Sequence, residues 1–296
     1  MTIVIAGGSG FLGRKLVTRL ESEGHAVTIL TRRPTRAGEI KWNPDGSPGT
    51  LPSHLDGTDV IINLAGEGIA DKRWTPARKA ALRNSRILAT RTLARAVAQC
   101  ARAPRVFINA SAVGYYGACG DEPIIETAPA GSDFLARLCV EWEQEACVVE
   151  SLSTRLAMVR TGIALAHDGG ALAKMLLPFR LGFGATLGSG DQFMPWIHVD
   201  DWTALLSWLI QNDRAAGAFN ATAPAPVTNR SFTHTLGRVL RRPAVLRAPV
   251  FVMQAMLGEM STILVNGQRV LPAHAEALGF RFTHRRLEPA LRSLDL

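Results

Sequence analysis

The chain opens with MTIVIAGGSGFLG, residues 1–13, and this stretch decides the fold class. Residues 3–6 form a short uninterrupted apolar run, which is typical of a strand buried on both faces of a parallel sheet. From Phe11 onward apolar residues recur at helical spacing through Leu12, Leu16 and Leu20. The order strand, glycine turn and helix is the setting that a dinucleotide-binding fingerprint requires.

Three glycines between this strand and this helix follow the pattern G-x-x-G-x-x-G. Gly7 allows the backbone to leave the strand at angles that a side chain would forbid, and Gly10 leaves room for a pyrophosphate beside the main chain. Gly13 allows the helix to pack closely on the strand, and the helix N-terminus favours phosphate charge. With this flanking context, dinucleotide binding is favoured over a glycine-rich turn that has no ligand. The predicted contacts are Gly7, Gly8, Ser9, Gly10, Phe11, Leu12 and Gly13.

A second strand is predicted over residues 26–31, and it ends in Thr31-Arg32-Arg33. In dinucleotide folds the end of this strand meets the adenosine ribose, where NAD enzymes usually place a carboxylate on the 2′-hydroxyl. The sequence has no carboxylate here, and its arginines would attract a 2′-phosphate. We therefore expect Thr31, Arg32 and Arg33 to bind NADP rather than NAD. The alternative is that the two arginines are ordinary surface residues.

Further strands are predicted at residues 59–66, 105–110 and 155–160, and helices at 76–99, 133–150 and 229–240. This alternation predicts an α/β fold, a doubly wound parallel sheet of the Rossmann type. We assign residues 1–161 to the dinucleotide-binding core, residues 162–248 to a substrate lobe interleaved with the sheet, and residues 249–296 to a short C-terminal helical domain. Asp200 or Asp201 is the expected N-cap of a helix that runs to about Ile210.

Composition restricts the class of partner. The chain has 296 residues, 47% of them hydrophobic, with no apolar run long enough to cross a bilayer, and we expect no signal peptide. Its four cysteines form no C-x-x-C pair, so a reducing cytoplasmic setting and no metal site are expected. The net charge of +8 comes from scattered arginines rather than from a basic run interleaved with aromatics. We expect a small-molecule substrate and neither nucleic acid nor membrane as a partner, and the sequence is compatible with a homodimer.

Several motifs resemble the extended short-chain dehydrogenase/reductase superfamily, the fold of the sugar-nucleotide epimerases. The glycine turn, the segment Asn63-Leu-Ala-Gly66 and the segment Trp196-Ile-His-Val-Asp-Asp201 are similar to its signatures. Residues 111–117, 178–182 and 267–272 resemble a narrower "epimerase family" subgroup that has a short C-terminal domain. The resemblance implies that Leu64, Ala65, Gly66 and Arg86 face the cofactor, and Arg86 takes a position usually held by Asn. Its alternative is a solvated helix arginine.

The superfamily's catalytic pair, Tyr-x-x-x-Lys, is missing from this chain, whose two tyrosines are Tyr115 and Tyr116. Tyr116 is the candidate proton donor, or else a substrate-wall aromatic, and Ser111 is the candidate for orienting substrate, or else a strand-end cap. Trp74 and Trp196 are candidate substrate walls. His198 is a further substrate candidate, although a structural histidine is the alternative. The expected activity is redox chemistry or epimerisation on a small polar substrate, with a nucleotide sugar as one candidate, or else a non-catalytic dinucleotide sensor or scaffold.

Overall fold

A seven-stranded parallel sheet lies at the centre of the computed structural model, which describes residues 1–296. Its strand order is 12-7-5-4-1-2-3, and each neighbouring pair is parallel. Eight short strands form four separate two-stranded pairs. The strands are β1 (Thr2–Ala6), β2 (Ala26–Thr31), β3 (Glu39–Lys41), β4 (Val60–Asn63), β5 (Val106–Ala112), β6 (Gly120–Ile124), β7 (Arg155–Thr161), β8 (Ile163–Leu165), β9 (Ala185–Leu187), β10 (Phe193–Met194), β11 (Trp196–His198), β12 (Gly217–Ala221), β13 (Val227–Thr228), β14 (Leu246–Ala248) and β15 (Gln268–Val270).

Helices cover both faces of this sheet, so the doubly wound α/β architecture predicted from the sequence is confirmed. The helices are α1 (Phe11–Ser22), α2 (Leu51–Leu55), α3 (Pro76–Val97), α4 (Phe134–Ala146), α5 (Gly170–Arg180), α6 (Val199–Gln211), α7 (Asn229–Leu240), α8 (Val250–Leu257), α9 (Thr262–Val265), α10 (Ala273–Ala277) and α11 (Leu287–Arg292). Three short 3₁₀ segments lie at Val113–Tyr116, Cys147–Leu152 and Gly258–Ser261. None of the helices has both the length and the hydropathy that a membrane span requires.

The alternation of side chains along β1 divides the core into two layers. Ile3 and Ile5 pack with α1 and α6 on one face, whereas Val4 and Ala6 pack with α2 and α3 on the other. Because a strand places successive side chains on opposite faces, an unbroken apolar run fills both layers at once. The sheet order reverses direction between β1 and β4, and the crevice outside the carboxyl ends of these two strands is therefore the expected ligand site.

The C-terminal half both completes the sheet and builds a lobe. β12 pairs with β7 and forms one edge of the central sheet. Phe280 and Phe282 pack into the same core cluster as Ile3. A separate cluster around Trp196 and Phe232 forms the core of the lobe.

The start of α6 differs from the prediction. His198, rather than Asp200 or Asp201, is the N-cap, and its imidazole accepts a hydrogen bond from the Asp200 backbone N–H at 3.1 Å. Asp201 is buried and accepts the backbone N–H groups of Thr283 and His284 at 2.9 and 2.8 Å. The carboxylate therefore fixes the C-terminal segment to α6 instead of capping the helix.

Candidate functional site

The glycine turn after β1 is in direct contact with the loop after β4. Gly7 has a φ of +80°, and a Cβ on it would lie 2.6 Å from the carbonyl carbon of Leu64. Only glycine can adopt this backbone conformation and tolerate the approach without strain. The loops after the two strands at the reversal point therefore form a continuous wall, as a dinucleotide crevice requires.

Gly13 and Gly10 have different surroundings at the start of α1. A Cβ on Gly13 would collide with the Gly7 carbonyl oxygen and would lie 2.7 Å from the Gly8 Cα. A Cβ on Gly10 would meet only the Gly7 carbonyl oxygen, at 3.2 Å, and otherwise enter open space. Gly10 is also the N-cap of α1 and has no side chain that could cap the helix. The N–H groups of the first turn therefore face outward without a side-chain acceptor. This combination of open space and free donors fits a pyrophosphate.

The remaining residues of the predicted turn support this cradle. Ser9 is exposed, and its carbonyl accepts the Arg14 guanidinium at 2.8 Å. Gly8 is buried against the side chain of Ile29 on β2, while Leu12 packs partly against the sheet core. The ring of Phe11 lies under Gly169 and Gly170, where a Cβ would come within 3.0 Å of it. The start of α5 therefore forms the far side of the crevice.

The end of β2 presents two unpaired cations. Arg32 and Arg33 are exposed, and neither has a carboxylate within ion-pair distance, whereas nearby Arg36 pairs with Glu39 at 3.1 Å. The Arg33 backbone N–H donates to the Thr31 hydroxyl at 3.3 Å, which fixes the turn. The free guanidinium groups fit a phosphate ester, which planar five-donor groups bind in a bidentate manner.

Buried amide and hydroxyl groups fix the turn over Leu64, Ala65 and Gly66. Asn63 Oδ1 accepts the Ala65 backbone N–H at 3.2 Å, and Asn63 Nδ2 donates to Thr90 Oγ1 at 2.8 Å and to Asn109 Oδ1 at 2.7 Å. Sequence reasoning missed the roles of Thr90 and Asn109. The feature of the sequence that could have identified them is a polar residue among apolar ones, in a helix for Thr90 and in a strand for Asn109.

Arg86 reaches the cleft from the middle of α3. Its guanidinium donates to the carbonyls of Leu82 and Glu67, at 3.0 and 2.9 Å, and lies 5.2 Å from the ring centre of Trp142. A Cβ on Gly66 would lie 3.2 Å from the same group. Burial lowers the pKa of Arg86, and no carboxylate pairs with it. A largely buried cation without an ion-pair partner is suited to an anionic ligand.

Ser111 belongs to a buried ion-pair network beneath the carboxyl end of β5. Its hydroxyl donates to Glu143 at 2.6 Å, and Arg160 binds both oxygens of the same carboxylate at 2.9 and 2.8 Å. Burial alone would lower the pKa of Arg160, but Glu143 raises it overall. No sequence pattern indicates this ion pair, because its members are 17 positions apart on a helix and a strand. The Ser111 hydroxyl is therefore engaged in the protein interior.

The two neighbouring tyrosines differ in their exposure and in their hydrogen bonds. Tyr116 is 2% exposed, and its hydroxyl donates to Asn220 at 2.6 Å and accepts from Arg160 at 3.0 Å. Burial raises the pKa of Tyr116, which opposes proton release. This enclosure contradicts the expectation that Tyr116 donates a proton to substrate or lines its pocket. Tyr115 is only partly buried, its hydroxyl makes no hydrogen bond, and the Arg160 guanidinium stacks 3.5 Å from its ring centre.

The predicted substrate residues do not come together. Trp196 is completely buried in the lobe core and donates to the Ala225 carbonyl at 3.2 Å, which contradicts a role as a pocket wall. His198 is 2% exposed and serves as the helix cap described above, so the structural alternative applies. Trp74 is partly exposed, donates to the Ile69 carbonyl at 2.9 Å and packs edge-on against Phe134. Of the three, only Trp74 remains accessible to a ligand.

One group of side chains has residue types suitable for a metal ion. Ligand atoms of His198, Asp200 and His284 lie within 4.8 Å of one another. However, the two imidazoles are stacked with ring centres 3.7 Å apart, and His198 Nδ1 already accepts the Asp200 backbone N–H. The in-plane lone pairs of stacked rings run parallel and do not point at one ion. The stacked pair of His198 and His284 instead packs α6 against the C-terminal segment.

Sequence comparison divides the chain into two matched parts. Residues 3–222 match the NAD-dependent epimerase/dehydratase family, and residues 248–294 match a domain of unknown function, DUF1731. The epimerase family protein Mb2239 of Mycobacterium bovis is 41% identical over 292 residues, which cover 98% of this chain and 96% of the relative.

Solved structures show the same similarity over the whole chain. The human epimerase family protein SDR39U1 (isoform 2), crystallised with NADPH, superposes with a TM-score of 0.93 at 34% identity and 99% coverage of both chains. A nucleoside-diphosphate sugar epimerase from Corynebacterium glutamicum superposes with a TM-score of 0.82 at 33% identity, over 99% of this chain and 58% of that one.

Proposed function

The chain belongs to the NAD-dependent epimerase/dehydratase family, and from this premise we propose that it binds NADP(H) and acts on a small polar substrate as an oxidoreductase or epimerase-like protein. One observation carries the cofactor assignment. The open phosphate turn at Gly10 lies at the end of β1, and the unpaired Arg32 and Arg33 lie at the end of the adjacent β2. The NADPH in the related human structure supports the same assignment.

In this proposal each part of the cofactor has its own partners. The pyrophosphate lies on the first turn of α1, the 2′-phosphate on Arg32 and Arg33, and the nicotinamide half extends along the β4 loop toward Arg86. We assign this role to residues 1–161, substrate contacts to the lobe of residues 162–248, and closure of the cleft to residues 249–296. A nucleotide sugar is a candidate substrate, since that class is named for the related Corynebacterium protein.

NADPH would supply a hydride when bound, and this chain's own residues would orient the substrate and handle the proton. Ser111, Glu143 and Arg160 form a fixed polar base under the β5 end rather than reacting groups. Tyr115 is the phenol whose hydroxyl is free, so we propose it in place of Tyr116 as proton donor. Tyr115→Phe should lower turnover by about 10²–10⁴-fold, while Tyr116→Phe should retain it. Loss of turnover confined to Tyr116→Phe would reverse this assignment.

The second candidate is a dinucleotide sensor or scaffold without catalysis. It is favoured by the missing Tyr-x-x-x-Lys pair and by the sequestered hydroxyl of Tyr116. NADPH absorbance followed across a panel of carbonyl and nucleotide-sugar substrates separates the two candidates. Turnover of any panel member supports the enzyme, and binding without turnover supports the sensor.

The cofactor assignment is tested with Arg32→Ala. A charge-assisted hydrogen bond to phosphate contributes about 1.5–3 kcal/mol, so NADPH affinity should fall by about 10- to 150-fold. NADH lacks the 2′-phosphate, and its affinity should stay the same. Arg36→Ala is the matched control, because Arg36 lies in the same loop but is paired with Glu39. Fluorescence titration that finds an equal loss for both cofactors in Arg32→Ala would refute the 2′-phosphate site.

We also infer a cytoplasmic location, because the four cysteines are all unpaired. A homodimer stays a prediction, for which sedimentation velocity is the direct measurement.

A further inference from the structure

Exposed apolar side chains are concentrated in two segments, which belong to the lobe and to the start of the C-terminal domain. Nine of the thirteen large hydrophobic residues that are exposed in this protein lie within residues 169–190 and 214–258. Neither segment contains an aspartate or a glutamate. Scattered exposed apolar residues are common, but a concentration of them in one region indicates an interaction surface.

Backbone packing brings these side chains onto one surface. Ala244 is buried, because Gly184 and Gly237 approach it so closely that a Cβ on either would lie 3.1 or 2.7 Å from the Ala244 Cβ. The chain neighbours Phe183 and Val245 therefore point outward and are 64% and 81% exposed. β9 and β14 pair in parallel from this point. We call the exposed group here the apolar patch: Leu177, Leu181, Phe183, Val245 and Leu246.

Helix α8 extends the apolar patch from the other end of β14. Seven of its residues are apolar, yet only Met253 is buried, whereas Phe251 and Met256 are 70% and 68% exposed. Val250, the first residue of α8, follows Leu246 by four residues, so at about 3.3 Å per residue it lies no more than about 13 Å from the apolar patch. The two areas are close enough to contact one flat partner.

Cations without carboxylate partners surround the apolar patch. Arg180 directly precedes Leu181, Arg241 and Arg242 directly follow α7, and Arg247 lies on β14. None of these four arginines forms an ion pair with an acidic side chain, whereas the nearby Arg230 and Arg238 do. A two-fold contact between copies of the chain would bring these arginines against one another, which like-charge repulsion opposes. Apolar side chains with a rim of free arginines are instead complementary to the interface of an anionic bilayer.

We propose that the apolar patch and α8 form a peripheral docking surface for anionic phospholipid membranes. This goes beyond the cofactor-linked function, and it revises the expectation from sequence that the protein has no membrane partner. Docking uses the apolar patch on the lobe together with α8 of the C-terminal domain, and it needs no membrane-spanning helix. The dinucleotide turn at the start of α1 takes no part in it.

Vesicle co-sedimentation tests the proposal. The full chain should bind vesicles of phosphatidylcholine mixed with phosphatidylglycerol more tightly than vesicles of phosphatidylcholine alone, and raised salt should weaken the binding. The double variant Arg241→Gln/Arg242→Gln should lose about 30-fold in partitioning, at about 1 kcal/mol per arginine. Phe183→Ser/Val245→Ser should lose about tenfold or more.

Matched controls lie elsewhere on the surface. Arg102→Gln/Arg105→Gln removes two exposed arginines at the amino end of the sheet, and Val148→Ser removes an exposed valine near α4; both should bind vesicles like the unchanged protein. Circular dichroism and NADPH titration verify that each variant is folded. The proposal is overturned if the chain ignores anionic vesicles, or if the controls lose as much as the patch variants. Self-association abolished by Phe183→Ser/Val245→Ser without vesicle binding would likewise overturn it in favour of a second copy.

Discussion

Replacing Arg160 with methionine should destabilise the protein more than any surface charge change. The side chains of Arg160 and Glu143 are 5% and 8% exposed. Water therefore screens neither charge, and each charge is neutralised by the other. Methionine retains much of the volume but leaves the Glu143 carboxylate with only the Ser111 hydroxyl as a donor from this network. The variant also removes the donors to Tyr116 and to the Glu126 carbonyl.

The magnitude follows from the asymmetry of buried ion pairs. Removing one partner of such a pair costs about 3–5 kcal/mol, because it leaves an uncompensated buried charge. Replacing both partners with apolar residues of similar size is often close to neutral. Arg160→Met should therefore lose about 3–5 kcal/mol, and the double variant Arg160→Met/Glu143→Leu should recover most of that loss.

Urea unfolding followed by tryptophan fluorescence measures this cycle. Arg83→Met is the matched control, because Arg83 forms an exposed pair with Glu141 of α4, and such pairs contribute about 0–1 kcal/mol. A loss below about 1 kcal/mol in Arg160→Met, or a double variant as unstable as the sum of its single variants, would refute the argument from burial.

Two further predictions concern the phosphate turn and the cap of α6. Gly10→Val should abolish NADPH binding in a folded protein, because the added side chain enters the open space beside the turn. Gly13→Ala should also lower the urea midpoint, because its Cβ collides with the backbone of the turn. Normal NADPH affinity in folded Gly10→Val would show that the pyrophosphate does not bind at this turn. Burial and then His284 lower the pKa of His198 below its usual value of about 6.5, so the stability linked to this ring is complete above that pH and decreases as the pH falls below it. His198→Asn, which retains a cap acceptor, should show a smaller fall in urea midpoint between about pH 7 and about pH 5, and an unchanged fall would contradict this linkage.

Local patterns were enough to predict the fold, and the backbone geometry of the three glycines agrees with the predicted dinucleotide turn. The bounds of β2 and α7 are those expected from the sequence, at residues 26–31 and 229–240. Both elements have strong local signals, namely a β-branched run and a Thr228 cap before a helix with a clear apolar face. The glycine turn was also predictable. Each of its three glycines lies close to backbone atoms that are within a few residues of it or in the loop after the adjacent strand β4.

The catalytic half could not be predicted in the same way. Tyr116 closely follows β5, and Trp196 is the first residue of β11. The sequence does not tell whether either side chain faces the crevice or the protein interior. Their partners, Asn220 and the Ala225 carbonyl, are 104 and 29 positions away. The decisive contacts are long-range, and a pattern within a short window contains no information about them.

The membership of Ile3, Phe280 and Phe282 in one core cluster has a consequence for how the chain folds. The first strand and a segment near the C-terminus share one core cluster, and β12 joins the sheet only after residues 162–216 have been made. In a nascent chain, β1 therefore lacks part of its core until Phe282 has left the ribosome. Contacts of such sequence separation slow folding and prolong the exposure of unpaired strand edges. We therefore expect that chaperone protection during synthesis shortens the exposure of these strand edges.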